Sequence, residues 1–453
     1  MKDNNSFLPI VQMNIVKTIN QPQTHFFYVG IDIGYKFHEA SCIIDKAFSD
    51  MQQSWKRSNT IRFNADGEGI SHLLQFFSSA SSNPLDFCIL LEPTGGYYGF
   101  ALIEVLKQQG YVVHFVDNKA VKDFRERNLG IREKSDKIDC KVLAYMGFQK
   151  TLTPSIYGIR LMNSTAPMQI LFKAQAAERW SMQKQLTRRK NQLQQILSVT
   201  HPDLKSIFSN GTATRTVRKL ITKYPTIELM SLQSEETLYK DFISFGAKSI
   251  AKKRSKELKT LLSHALTIDT SFLLNRQQLL VEDIDRMEGF IEKMDAEIKK
   301  LVDNHPYKEI LFSFPVMSYT WACTLIGAIG DINRFTNYKQ FKKYMGFVAE
   351  NRQSGISVQS THLSFQGVRE TRRVLFQMCF TMMGPHNDET PFRTHYNRLL
   401  QRSMPKMKAL GHVCGKLAQV LYGCLKNNKP YDPTIHSLAM GITADRTGNT
   451  NVH

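Results

Sequence analysis

Four carboxylates in the first third of the chain occur where a metal-dependent phosphodiester chemistry could be assembled. Asp32 lies near the end of the short apolar run Tyr28–Gly34, YVGIDIG. A charge rarely sits in such a run unless a partner or a cation compensates it. Glu92 follows the apolar stretch Phe87–Leu91 and precedes Pro-Thr-Gly-Gly, so a second carboxylate falls at a strand end. Asp136 and Asp139 lie in EKSDKIDCKVLAYM; three residues apart on a helix, they share a face about one turn apart. Four such groups cannot all stay ionised in one pocket without cations, and an all-oxygen ligand set selects Mg2+ or Mn2+. Two such ions could grip both sides of a phosphodiester and stabilise the charge that develops as it is cleaved. Taken singly, an Asp at a strand end is more often a capping residue, and a D-x-x-D on a basic helix is more often surface charge. The ordered set carries the specificity.

The elements that must position these groups follow from hydrophobic periodicity. From Phe26, FFYVGIDI, EASCIID and TIRFN alternate as three strands of an antiparallel meander. After Asp66-Gly67 the period changes and ISHLLQFFSS reads as a helix. A strand over Phe87–Leu91, a helix from about Tyr97 to Gln109, the strand YVVHFV ending at Val116 and one helical stretch from Asn118 to about Phe148 complete the series. The order β-β-β-α-β-α-β-α predicts a mixed sheet with helices on its faces. It is the order of an RNase H-like (RuvC-like) nuclease core, here an α/β domain over residues 26–160 that follows a polar extension at 1–25.

Residues 161–308 lose strand character. Leu280, Ile284, Met287, Ile291, Met294, Ile298 and Leu301 alternate in steps of four and three, the heptad seam of a coiled-coil arm. Met182, Leu186, Leu193 and Ile196 form a weaker counterpart, interrupted by Arg189. An antiparallel helical hairpin with an insert at about 198–268 is expected, and its seam also offers a dimerisation device. Within the insert, KSIAKKRSKELK (Lys248–Lys259) reads either as a solvated helix face or as a phosphate contact. A mostly α-helical C-terminal domain is predicted over 309–433, with a polar segment at Glu350–Ser364 and helices at about 368–384, 391–402 and 406–426. KPYDP, Lys429–Pro433, stops the last helix, and a polar tail fills 434–453.

Fifty-nine Lys and Arg against forty Asp and Glu leave a net charge of +19, spread along the chain. Such an excess points to a polyanionic partner. The seven cysteines include no C-x-x-C pair and read as reduced thiols of a cytoplasmic protein. No stretch has the length and apolarity of a signal peptide or a membrane span, so neither secretion nor membrane association is expected.

Three segments together, YVGIDIGYKFHEASCII, LEPTGGYYGFALIEVLKQQGYVVHFVDNKAVKDF and REKSDKIDCKVLAYM, resemble the DEDD transposases of the insertion-sequence 110 family. These are also called bridge-RNA-guided recombinases, and their relatives include Piv-type DNA invertases. GAIGDINRFTNYKQFKKYMGFVAENRQSGISV and GKLAQVLYGCLKNNKPYDP resemble the family's second domain, so the likeness spans roughly 27–433. It implies a RuvC-like fold with Asp32, Glu92, Asp136 and Asp139 as the acidic tetrad holding Mg2+ or Mn2+. It also implies a nucleophilic serine, which falls on Ser354 of RQSGIS; on composition alone Ser357, Ser360 and Ser364 are equal candidates. Metal ions or a neighbouring base must activate a serine hydroxyl, which is a poor nucleophile by itself.

The implied activity is strand cleavage and exchange through a covalent phosphoserine-DNA intermediate. The implied partners are donor and target double-stranded DNA, a structured noncoding guide RNA and further copies of the chain in a homodimer or homotetramer, acting at the bacterial nucleoid. A Piv-like invertase, a RuvC-like nuclease cleaving with water and a non-catalytic RNA-binding scaffold are the alternatives. Relatives often carry a Pro-Gly-Ile-Gly hairpin where this chain has Phe314-Pro315-Val316-Met317-Ser318. Lacking glycine, that turn is expected to be less accessible, and no phosphate binding is assigned to it.

Overall fold

The computed structural model describes residues 27–44, 56, 58–92, 98–152, 159–161, 167–208, 211, 213–264, 269–354, 358–363, 367–385 and 389–441. The predicted extension at 1–25 lies outside them. The chain divides into two compact units, Met1–Ser164 and Thr165–His453.

In the first unit β1 (Phe27–Asp32), β2 (Phe37–Ile44) and β3 (Thr60–Asn64) precede α1 (Gly67–Ala80). The Asp66 carboxylate caps α1 by accepting from the Gly69 amide at 2.9 Å, which supplies one of the donors a helix start leaves orphaned. Then come β4 (Phe87–Leu91), α2 (Phe100–Gln108), β5 (Val113–Val116), α3 (Asn118–Asp123), α4 (Asp136–Leu152) and β6 (Ile159–Leu161). The sheet runs β3-β2-β1-β4-β5-β6. β4 lies parallel to both β1 and β5, while β2, β3 and β6 pair antiparallel with their neighbours. Alternation along the strands divides two cores. Val29, Ile31, Ile89 and Leu91 pack with residues of α1 and α2, whereas Tyr28, Cys88 and Leu90 pack with residues of α3 and α4. Gly30 brings α4 down onto β1: a Cβ there would stand 2.0 Å from the Cys140 carbonyl oxygen and 2.4 Å from the Ala144 nitrogen.

The single helix expected from Asn118 to Phe148 is broken. α3 passes into a π-helical turn over Phe124–Asn128. Gly130 then takes φ +67, and the Ile131 amide donates back to the Arg125 carbonyl at 3.0 Å. A glycine in the left-handed region just past a helix end is a strong stop signal. The chain restarts at Ser135, whose hydroxyl accepts from the Ile138 amide at 3.3 Å.

The second unit opens with α5 (Pro167–Thr200), followed by the short helices α6 (Leu204–Ile207), α7 (Arg215–Lys223), α8 (Ile227–Ser231), α9 (Glu235–Ser244) and α10 (Ala251–Leu262). The long α11 (Ser271–Asp303) returns antiparallel to α5, since Arg179 pairs with Asp295, Lys190 with Glu288, and Thr200 with Gln277. Leu280, Ile284, Ile291 and Ile298 of the predicted seam are buried. Much of that surface is covered by α5 and the short helices of the same chain, so the seam is not free to zip two copies together. α6–α10 have their own core, continuous with Leu186, Leu193 and Leu197. Phe172, Ala176, Ile298 and Val302, at the other end of the hairpin, belong to the C-terminal core instead.

That core is built on α12 (Lys308–Phe312), α13 (Tyr319–Ile329), α14 (Tyr338–Tyr344), α15 (Arg369–Met382), α16 (Pro391–Gln401), α17 (Lys406–Lys426) and α18 (Pro433–Ala439). α18 falls where a polar tail from 434 was predicted. Asp432 caps it and Pro433 occupies its first turn, so the proline that ends one helix begins the next. The polar segment at Glu350–Ser364 contains a two-stranded antiparallel ladder, β7 (Ala349–Ser354) and β8 (Val358–Leu363). Between α12 and α13, Val316 has φ +58. A residue other than glycine thus takes a left-handed conformation in this segment. The flanks over-determine the turn: buried Phe314 stacks on Tyr431 at 4.8 Å, and the Ser318 hydroxyl caps α13.

Candidate active site

The register of the first unit's sheet brings Asp32 and Glu92 together. β1 and β4 pair in parallel through Ile31↔Leu91, and one further step along both strands sets Asp32 level with Glu92. Tyr28 and Leu90 point to the α4 side, so alternation aims both carboxylates at that side too. Asp136 and Asp139 occupy the first turn of α4, where the positive end of the helix dipole favours negative charge.

Asp32 and Glu92 both carry raised carboxyl pKa values, with neighbouring carboxylates contributing. Burial raises the Asp32 carboxyl from 3.8 to about 6, with Asp136 and Asp139 adding repulsion, while Lys134 and the Ile33 amide oppose the rise. Glu92 is raised by burial first, then by Asp139 and Asp32, against Lys134 and Arg125. Asp32 and Glu92 thus lie at one end of the sheet, with the first turn of α4, carrying Asp136 and Asp139, near enough for its charge to act on them. Asp139 is 2% exposed, and its Oδ1 accepts from Arg125 Nη1 at 2.5 Å. Arg125, itself buried, sits in the π-helical turn. Sequence reasoning missed it, because one arginine in the basic stretch KAVKDFRERN carries no distinguishing signal.

The all-carboxylate donor set suits a hard divalent cation, and the mutual repulsion is what such a cation would relieve. Among the described residues, no three His, Cys, Asp or Glu side chains converge closely enough to hold an ion. Asp139 is paired with Arg125, a bond that an ion bound there would compete with.

Ser354 belongs to the second unit, at the end of β7 and opposite Val358. Ser360 lies in β8 opposite Arg352, while Ser357 and Ser364 fall outside the described residues. Between Pro391 and Lys426, which spans α16 and α17, the chain has seven Lys or Arg and no Asp or Glu. Burial lowers the His395 pKa, with Lys416, His412, Arg398 and Arg402 adding to the fall. Burial also lowers that of His412, with Lys408 and Lys342 contributing. Cations crowd here without counter-charges in their own elements, a field that attracts polyanions. In the insert, by contrast, part of the Lys248–Lys259 run is engaged internally: Lys259 donates to the Ser231 and Gln233 carbonyls, and Arg254 pairs with Glu257.

Two family models match the chain. One, described as a transposase of the DEDD IS110 type, covers residues 29–202, and the other, described as transposase of the IS116/IS110/IS902 family, covers 308–397. An insertion element IS110 uncharacterized 43.6 kDa protein of Streptomyces coelicolor is 21% identical over 333 residues, spanning 73% of this chain and 80% of the relative. The pilin gene-inverting protein of Moraxella bovis is 25% identical over 160 residues, 34% of this chain and 49% of the relative. The pilin gene-inverting protein of Moraxella lacunata matches to the same extent. With both models in the order of the two units and together covering more than half of its length, the chain belongs to the IS110 family of transposases.

Proposed function

We propose that this protein is a DNA recombinase that cleaves and rejoins strands through a metal-supported serine, on a RuvC-like (RNase H-like) catalytic domain with a coiled-coil arm. The observation that carries the reading is the approach of Asp32 and Glu92, at the ends of neighbouring parallel strands, to the first turn of α4 with Asp136 and Asp139. These four would hold Mg2+ or Mn2+, which when bound polarises the scissile phosphate. Asp32 and Glu92, fixed by strand register, set the position of the site. Asp136 and Asp139 add their carboxylates from the first turn of α4.

Ser354 is the proposed nucleophile. Its Oγ forms a bond to phosphorus as the P–O bond to the leaving strand breaks. The hydroxyl proton passes to a base and the leaving oxygen is protonated. Attack on the phosphoserine by the hydroxyl of another strand end reverses these steps, so no external energy source is required. The boundaries 26–160, 161–308 and 309–433, a guide RNA pairing with donor and target DNA, assembly as a dimer or tetramer and a cytoplasmic location complete the proposal. In keeping with that location, no helix among the described residues is long and apolar enough to cross a membrane.

Inversion of a DNA segment is the second reading, favoured by the likeness to the pilin gene-inverting proteins. The deciding experiment incubates the full chain with DNA carrying the element's ends and Mg2+, then looks for a protein-DNA adduct on denaturing gels. Ser354→Ala should abolish the adduct and cleavage together. Cleavage that persists in Ser354→Ala would replace the covalent mechanism with hydrolysis by water.

A further inference from the structure

The row of residues that holds Asp32 and Glu92 extends across the sheet to a cation. Asp32 pairs with Glu39 on β2, and Glu39 with Arg62 on β3. Directly paired residues share a face, and the faces agree. Phe63 packs on the side of α1 and α2, which leaves Arg62 on the side of α4. A line Arg62–Glu39–Asp32–Glu92 thus crosses four adjacent strands on the face of the carboxylate site. With strands about 4.8 Å apart, the Arg62 backbone stands about 10 Å from that of Asp32.

Glu39 is 3% exposed, yet it is none of the four acidic residues that the sequence singles out. Its Oε1 accepts from Arg62 Nε at 2.7 Å, and its Oε2 has no hydrogen-bond partner among the described residues. A carboxylate so buried is costly unless it is paired with a charge, so Arg62 is bound to it. The pairing uses only the Nε edge. Arg62's side chain is 55% exposed, its guanidinium lies 5.0 Å from the centre of the Phe37 ring, and Nη1 and Nη2 make no hydrogen bond among the described residues. The Glu39 contact and the ring beneath it hold the guanidinium while more than half of the side chain stays exposed.

We propose that Arg62, anchored by Glu39, is a phosphate-binding subsite for the DNA strand entering the carboxylate site. The free edge of a guanidinium matches two non-bridging oxygens of a phosphodiester. Its place in the row suits a phosphate flanking the one cleaved, where a cation offsets the repulsion between the strand and four carboxylates. This rests on the reading of Asp32, Glu92, Asp136 and Asp139 as the DNA-cleaving centre.

The test measures binding of the full chain to a duplex DNA oligonucleotide by fluorescence anisotropy, in chelator, over a range of salt concentrations. Because Arg62→Ala alone strands the buried Glu39, the deciding comparison is Glu39→Gln against Glu39→Gln/Arg62→Ala, each checked for an intact melting transition. The double variant should bind about tenfold more weakly than Glu39→Gln, and the slope of log affinity against log salt should fall by about 1. Adding Arg62→Lys to Glu39→Gln should restore part of the loss. Equal affinity and slope in a folded double variant would reduce the pair to a structural ion bridge. A loss seen with single-stranded RNA but not duplex DNA would overturn the assignment to DNA. Asp32→Asn separates this from failure of the underlying reading. If that variant binds DNA but does not cut it, the catalytic assignment holds whatever Arg62 does. If it still cuts, the catalytic assignment falls.

Discussion

Replacing Asp32 with Asn should stabilise the first unit at neutral pH when no divalent cation is present. The Asp32 carboxyl is held at about 6 in the folded protein against 3.8 unfolded, so ionising it opposes folding. Because the folded pKa is the higher one, stability falls as pH rises from about 4 to about 6, and the full cost is present above that range. A shift of about two units corresponds to about 3 kcal/mol. Asp32 is only partly buried, and solvent screening reduces this to about 1–2 kcal/mol. In a unit of this size that amounts to roughly 2–8 °C in melting temperature.

Scanning calorimetry of wild type and Asp32→Asn in chelator should show the gain at pH 7.5 and its disappearance near pH 4. Added Mg2+ should raise the wild-type transition, because a ligand of the folded state stabilises it by mass action, and should raise the variant's less. A lower melting temperature for the variant at pH 7.5, or a difference that does not change with pH, would refute the crowding of carboxylates on which the proposed metal site rests.

Three further changes test the scaffold by the same measurement. Gly30→Ala should lower stability by about 3 kcal/mol, because its methyl group meets backbone atoms of α4 at 2.0 and 2.4 Å and no side chain can yield. Gly289→Ala, within α11 and with nothing within 4 Å of the added methyl, should raise stability by about 0.5–1 kcal/mol. Val316→Gly should gain about 1 kcal/mol by relieving a left-handed β-branched residue; a loss would show that the Val316 side chain contributes more than its backbone costs.

The parts of the first unit's sheet that were legible in the sequence are those whose signal is local. β4 is one uninterrupted apolar run, and in β1 the carboxylate stands out against apolar neighbours, so Asp32 and Glu92 could be placed at strand ends. Their placement side by side was less direct, since it depends on the parallel register between strands far apart in the chain. The break before α4 was missed because Phe124–Ile131 keeps enough apolar periodicity to look helical, and one glycine at φ +67 decides the matter. Arg125 and Arg62 escaped for a related reason. Each is defined by a carboxylate brought to it by folding, and +19 of net charge conceals two particular arginines. β7 and β8 carry too few apolar residues to alternate visibly; their pairing is held by the backbone ladder.

The hairpin of α5 and α11 has a mechanical consequence. Helices of this length extend about 50 Å, and each end is rooted in a different core, the C-terminal helices at one end and α6–α10 at the other. Between them the pair is laced by Arg179 with Asp295, Arg189 with Asp283 and Lys190 with Glu288. These ion pairs tie the two helices together along the stretch between the cores. At that length a turn of the base by about 10° corresponds to roughly 9 Å at the far end, so the position of α6–α10 is set by how Phe172 and Ile298 seat in the C-terminal core.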